Sequence, residues 1–188
     1  MGIGVFSWVA YAVWAISEIF MIVRSRRMRG DVETENADKG SVVFLGVTIF
    51  ASIMIAILFH LLGWGSVATL ATIIGAILML AGVALRFWAF TTLGRNFTQT
   101  VVTDAQQELI QSGPYKLIRH PSYTGALITL VFLGLAFGSW IASCVILVIV
   151  ASIYVYRIQV EERALQAHFG AAFDEYRKRT KRLIPFVW

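Results

Sequence analysis

Apolar and polar residues are laid out along this chain in long blocks rather than in the short alternations of a soluble fold. Ile3 to Val23 is an apolar run interrupted by Glu18. At about 20 residues per crossing it is long enough to span a bilayer. A polar stretch follows from Arg24 to Gly40, with Arg24, Arg26, Arg27 and Arg29 leading and Asp31, Glu33, Glu35 and Asp38 after them. Ser41 to Leu62 is a second apolar run, closed by the uncharged turn Gly63-Trp64-Gly65-Ser66. Val67 to about Phe90 is a third, with Arg86 near its end. Thr91 to His120 reads as a long connection, and connections of that length in compact domains are commonly functional. Pro121 favours a helix start and biases His120 away from α geometry. Ser122 to Phe137 and Trp140 to Tyr156, split by Gly138-Ser139, together exceed one crossing and predict a tight helical hairpin. Gln159 to Arg179 predicts a cytosolic helix with Leu165, Phe169, Ala172 and Tyr176 as its apolar stripe. Leu183 to Trp188 is an apolar tail suited to fold back onto the membrane surface.

The pattern therefore predicts an all-α integral membrane protein of about five transmembrane helices. The last two form the hairpin, and a cytosolic C-terminal helix follows. Composition agrees: 58% of the 188 residues are hydrophobic and 14% charged, against about 45–50% and 25% in soluble domains. One membrane-embedded domain is expected over residues 1–188, with the first two spans in 1–66 and the core of the site in 67–188.

Charge placement sets the expected orientation. All 16 Lys and Arg residues fall after the first span, at or after the end of the third, or in the C-terminal segment. The two turns on the other side have none. The positive-inside rule then puts the N-terminus outside and the C-terminus in the cytoplasm. The same placement assigns the net charge of +5 to anionic lipid headgroups rather than to nucleic acid. The first apolar run has no basic residue before it, so it is expected to be retained as a helix and not cleaved as a signal peptide. Compact length and the lack of organelle signals point to a prokaryotic plasma membrane. Cys144 is the only cysteine; lying in an apolar run, it reads as a small buried residue. His60, His120 and His168 are not spaced as a metal site, and no metal is expected.

Four clusters on the basic side carry reactive groups: Arg86 to Thr98, Gly113 to Gly125, Glu161-Glu162, and Arg179 to Pro185. Some have ordinary explanations. Phe87, Trp88 and Phe90 suit an interfacial aromatic belt, and Glu161-Glu162 suits the start of a cytosolic helix, where the dipole favours acids. The group Arg119-His120-Pro121-Ser122-Tyr123 is less easily explained that way. It places a guanidinium, an imidazole and a phenol within five residues at a helix start, whose free N–H groups suit an anion such as a carboxylate. The common glycine-rich nucleotide fingerprints are missing.

Leu93-Gly94-Arg95-Asn96-Phe97-Thr98, then Leu109-Ile110-Gln111-Ser112-Gly113-Pro114-Tyr115, then Arg119-His120-Pro121-Ser122-Tyr123-Thr124-Gly125 resemble the isoprenylcysteine carboxyl methyltransferase family and its phospholipid methyltransferase relatives. The likeness continues in Glu161-Glu162, Phe169-Gly170, Tyr176 and Arg182-Leu183-Ile184-Pro185, so it covers about the C-terminal half. It implies S-adenosyl-L-methionine as cofactor, bound at the cytoplasmic ends of the last helices. Carried over by position, His120 and Tyr123 contact the cofactor, and Gly113, Pro114, Tyr115 and Pro121 shape its pocket. Glu161 or Glu162 closes it. Arg119 and Arg86 are the candidates for orienting an anionic substrate group.

The expected reaction is methyl transfer by in-line displacement to a lipophilic acceptor that enters from the bilayer, most like an isoprenylcysteine carboxylate. Such a carboxylate is ionised at neutral pH, its pKa being about 4, and needs no strong base. An arginine fork suits it. A phospholipid amine or a small thiol would need deprotonation, for which His120 or the glutamates are available. Two other classes compete: an NADPH-dependent sterol-type reductase, for which the Arg177 to Arg182 run supplies a weak phosphate cluster, and a non-enzymatic membrane protein or transporter, which would be expected to show repeats and broken helices at the midplane.

Overall fold

The structure is a computed structural model, and it describes residues 4–29, 39–94 and 108–185. Among the described residues six α-helices follow in order: α1 (Val5–Arg29), α2 (Lys39–Leu62), α3 (Thr69–Leu93), α4 (Pro121–Ala136), α5 (Trp140–Phe169) and α6 (Ala171–Arg179). A 3-10 turn, Gly113–Lys116, precedes α4. No strand occurs among the described residues; two isolated bridges, Ser66 with Ser139 and Ile118 with Lys181, are the only extended pairings there.

By length and composition the Val5–Ser25 part of α1, α3 and α5 can cross a membrane, and α2 and α4 add two shorter apolar helices. The all-helical membrane fold and the α4–α5 hairpin are as the sequence predicts. Three boundaries differ. α1 runs on through the arginine cluster to Arg29, where a solvated loop was expected, because arginine is a good helix former. α5 does not stop at Tyr156 but continues unbroken to Phe169, so the last span and the first part of the predicted cytosolic helix are one element. The break comes at Gly170, whose φ of 51° is readily adopted by glycine. That break resets the helical phase, so Phe173 and Tyr176 are the buried positions of α6 while Ala172 is exposed.

The core lies between α3, α4 and α5. α3 and α4 approach most closely at their glycines. A Cβ on Gly82 would come within 2.6 Å of Thr129 Oγ1, and one on Gly125 within 2.6 Å of the Arg86 backbone nitrogen. Small residues at such crossings let helix backbones pack in a membrane, where no hydrophobic driving force separates helix from lipid. Trp14, Met79, Leu130, Leu133, Ile146, Val150 and Tyr154 fill the space around this contact. Cys144 is exposed, contrary to expectation; it shares the outward apolar surface of α5 with Leu147 and Val148. Lipid, not protein, is the solvent for that face.

The two uncharged turns at the far end are tied together. Val67 N–H donates to Gly138 O at 3.2 Å, Trp140 N–H to Gly65 O at 3.0 Å, and Ser139 Oγ to Trp64 O at 2.6 Å. Measured from that anchored end, helix lengths differ. At 1.5 Å per residue, α4 is about 24 Å long, α3 about 37 Å and α5 about 45 Å. The N-terminus of α4 is therefore recessed below the ends of α3 and α5, and this recess positions the site.

Candidate functional site

The recess is roofed by the chain's own C-terminal segment. Arg119 N–H donates to Lys181 O at 2.8 Å, and His120 N–H to Arg182 O at 3.1 Å. Thr124 Oγ1 donates to Leu183 O at 2.9 Å. Leu183 is buried in the core, so the apolar tail starts by folding inward; residues 186–188 lie outside the described residues. The His120 N–H, one of the helix-start donors that the sequence offered to an anion, is thus taken by this strap, as is the Arg119 N–H just before it. Tyr176 Oη, from α6, donates to Tyr115 O at 2.7 Å and fixes the Gly113-Pro114-Tyr115 turn from above. Burial pushes the Tyr176 phenol above its ordinary value, against the opposing effect of the Arg119 and Arg179 guanidiniums, so it remains a donor at neutral pH. Gly113 sits at φ 56°, and a Cβ there would lie 2.9 Å from Thr92 Oγ1. The turn therefore packs against the end of α3 only with glycine at that position.

Two neighbouring carboxylates from α5 meet the motif from the side, and their environments differ. Glu162 is buried. Its Oε1 accepts from Arg119 Nε at 2.8 Å and lies 3.4 Å from His120 Nε2. Its Oε2 accepts from Arg182 at 3.0 Å. Arg119 is further held by the Thr180 and Arg177 carbonyls. Glu161 has a side chain 32% exposed and lies 3.9 Å from His120 Nδ1. It accepts from Tyr123 Oη at 2.7 Å, while the same phenol oxygen accepts from Arg157 Nε at 2.7 Å. The His120 and Tyr123 rings are tilted 34° with centroids 5.6 Å apart. The helix phase thus gives Glu162 to the arginines and leaves Glu161 the more accessible carboxylate.

Arg86 lies apart from this cluster. Its Nε and Nη2 donate to the two Glu18 oxygens at 2.7 and 3.1 Å, a bidentate pair with both side chains largely buried. Its Nη1 reaches Ser122 O and Oγ at 3.4 and 3.3 Å. The acid that interrupts the first span therefore has a protein partner, and the pair braces the first turn of α4.

The structure accordingly brings Arg119, His120, Pro121, Tyr123, Glu161 and Glu162 together, with Gly113, Pro114 and Tyr115 beside them and Arg86 one step removed through Ser122. Arg95 to Thr98 lie outside the described residues. Sequence reasoning missed Arg157 as part of the cluster, and it singled out the Arg179 to Pro185 segment without joining Thr180 and Arg182 to Arg119. Arg157 had one legible signal: it is a lone charge at the end of an apolar run, four residues before Glu161 and so on the same helix face. Among the described residues no group of His, Cys, Asp and Glu is arranged to hold a metal ion.

A helical bundle whose short fourth helix leaves a histidine, a tyrosine and two glutamates in a strapped recess defines a class, and comparison with known proteins supplies its family. Residues 73–167 match the family model of the isoprenylcysteine carboxyl methyltransferase (ICMT) family, and the chain belongs to that family. It is 33% identical over 115 residues to protein-S-isoprenylcysteine O-methyltransferase B of Arabidopsis thaliana, covering 60% of this chain and 58% of that protein. It is 34% identical over 131 residues to the Saccharomyces cerevisiae protein-S-isoprenylcysteine O-methyltransferase, covering 65% of this chain and 52% of that one. The chain thus spans between half and three-fifths of the length of these relatives. The solved structure of the eukaryotic intramembrane Ras methyltransferase ICMT superposes with a TM-score of 0.73 at 20% identity, over 95% of this chain and 64% of that one. At that identity the likeness concerns the fold.

Proposed function

We propose that this protein transfers a methyl group from S-adenosyl-L-methionine to a lipophilic acceptor held in the bilayer, at the cytoplasmic membrane face. The acceptor most in keeping with the family is an isoprenylcysteine carboxylate, methylated on oxygen. The observation that carries the reading is the convergence of His120 and Tyr123 from the start of α4 with Glu161 and Glu162 from the end of α5.

The donor set fits a cationic, zwitterionic cofactor. Glu161 presents a partly exposed carboxylate beside two aromatic rings, and both attract positive charge. When bound, the cofactor supplies an electrophilic methyl group on a positively charged sulfur. Glu161, His120 and Tyr123 hold its cationic part, and Gly113, Pro114, Tyr115 and Pro121 shape the pocket. Arg119, pre-oriented by Glu162 through Nε and by the Thr180 carbonyl through Nη1, directs the acceptor carboxylate with its remaining nitrogen, Nη2, by a charge-assisted hydrogen bond. Since that carboxylate is already ionised at neutral pH, orientation does most of the catalytic work. Arg86 acts one step back: with Glu18 it fixes Ser122 and hence the placement of His120 and Tyr123. The lipid part of the acceptor enters sideways between helices, while the cofactor enters from the cytoplasm.

Calorimetry in detergent tests the cofactor. Wild type should bind S-adenosylmethionine and S-adenosylhomocysteine at micromolar concentration, and His120→Ala should lose that binding. A folded, lipid-supplemented wild type that binds neither would overturn the proposal. Methyl incorporation into an isoprenylated cysteine, with a phospholipid and a small thiol as comparison acceptors, then tests the substrate class.

A further inference from the structure

Sharing Arg119, Thr180 and Arg182 with the carboxylate cluster but opening beyond it, the C-terminal segment forms a second feature with its own chemistry. Arg119, Asp174, Arg177, Lys178, Thr180, Lys181 and Arg182 line a groove of about 660 Å³. Five of these seven side chains are cationic and one is acidic. Among the described residues the acids paired with these cations are three: Asp174 lies 3.9 Å from Arg177, Glu175 pairs with Lys178, and Glu162 is shared between Arg119 and Arg182. The groove is therefore a poor place for the cationic end of a sulfonium cofactor and a good one for an anion.

Its position in the fold selects the anion. The strap crosses the start of α4, with Leu183 buried in the core. Leu117, whose carbonyl accepts from Lys181 N–H, is 58% exposed, and Ile184, two residues after Arg182, is 54% exposed. Exposed apolar side chains next to the cations of the groove match the boundary between acyl chains and headgroups. There, apolar groups insert while lysine and arginine reach toward phosphates. A soluble anion would gain nothing from the two flanking apolar side chains.

We propose that this groove binds the phosphate of an acidic phospholipid headgroup, with Arg177, Lys178 and Lys181 as its principal contacts and Leu117 and Ile184 set against the acyl region. The site takes a lipid, not the methyl donor, and the inference does not depend on methyl transfer. Its consequence is local: a bound lipid holds the strap that covers Arg119 and His120.

Native mass spectrometry of the full chain, released from bilayers of equal phosphatidylglycerol and phosphatidylcholine, tests this. Wild type should retain phosphatidylglycerol in preference. In Arg177→Gln/Lys178→Gln/Lys181→Gln the preference should fall by about tenfold or more, given the attraction of each basic residue to an anionic surface. Lys178→Arg/Lys181→Arg, which keeps the charge, should retain it, and this second variant separates loss of charge from loss of fold. Equal retention of both lipids by wild type, or an undiminished preference in the triple variant, would overturn the proposal. So would stabilisation of wild type by millimolar inorganic phosphate with no lipid preference, which would assign the groove to a soluble anion.

Discussion

Arg119 and Glu162 stand 43 positions apart in the chain, and Arg119 Nε donates to Glu162 Oε1 at 2.8 Å, joining the start of α4 to the end of α5. Glu161, the adjacent residue on the same helix, faces Tyr123 instead and remains about one-third exposed. The two glutamates should therefore separate in their effects. Glu162→Gln leaves two guanidiniums without their shared carboxylate; removing one partner of a buried pair costs about 3 kcal/mol, and a markedly lower melting temperature is expected. Glu161→Gln should change stability by less than about 1 kcal/mol while weakening S-adenosylhomocysteine binding at least about tenfold. Thermal unfolding and calorimetry on both variants check the split; identical profiles would show that the two carboxylates share one role.

Tyr123 is the bridge between Arg157 and Glu161, accepting from one and donating to the other. Tyr123→Phe keeps the ring against His120 and Tyr154 and removes only the hydroxyl. A buried hydrogen bond to a charged group contributes about 1.5–3 kcal/mol to stability, so the melting temperature should fall, and ligand affinity should fall with it because Glu161 loses the phenol that orients it. The fold should persist. Unchanged affinity in Tyr123→Phe would show that the phenol serves only to pack α4 against α5.

The blocks of apolar residues made the helices and the α4–α5 hairpin legible, because a bilayer imposes a length on every crossing. The Arg119 to Tyr123 motif was legible because three chemical groups crowd one helix start. What was hidden depended on packing between distant segments. Nothing in the local sequence near Arg182 or Thr180 says that they return to Arg119, and nothing near Glu18 says that its partner is Arg86. The misplaced stripe of α6 has a local cause: a single left-handed residue, Gly170, changes which face of the following helix points inward.

The Glu18–Arg86 pair joins α1 to α3 and, through Ser122, to α4. Glu18 lies before the residues that match the family, yet this pair ties it to the brace of the site. Glu18→Leu leaves a largely buried guanidinium without its carboxylate and should cost about 3–5 kcal/mol. Glu18→Leu/Arg86→Leu removes both charges and should recover much of that loss, since a buried ion pair often contributes no more than well-packed apolar residues. If the pair positions His120 and Tyr123, the double variant will regain its melting temperature but keep a weakened S-adenosylhomocysteine affinity. Full recovery of both would confine the pair to helix packing.

Tyr176 gives a prediction with a sign in pH. Its phenol donates to the Tyr115 carbonyl, and burial raises it above its ordinary value of 10.0, even though Arg119 and Arg179 pull the other way. A group whose pKa is raised on folding contributes stability that is complete below the unfolded value. That contribution is lost only as pH climbs from the unfolded value through the folded one. The stabilisation from Tyr176 should accordingly be constant between about pH 6 and 9 and decline only above about pH 10. Tyr176→Phe removes the hydrogen bond and should lower stability by about 1 kcal/mol by the same amount across that neutral window, with the gap to wild type closing only in the alkaline range. Chemical denaturation of both proteins at stepped pH measures it. A gap that widened with rising pH would mean that the phenol ionises more easily in the folded protein than in the unfolded chain, and the strap would then be held by the guanidiniums beside Tyr176 rather than by its hydrogen bond to the Gly113-Pro114-Tyr115 turn.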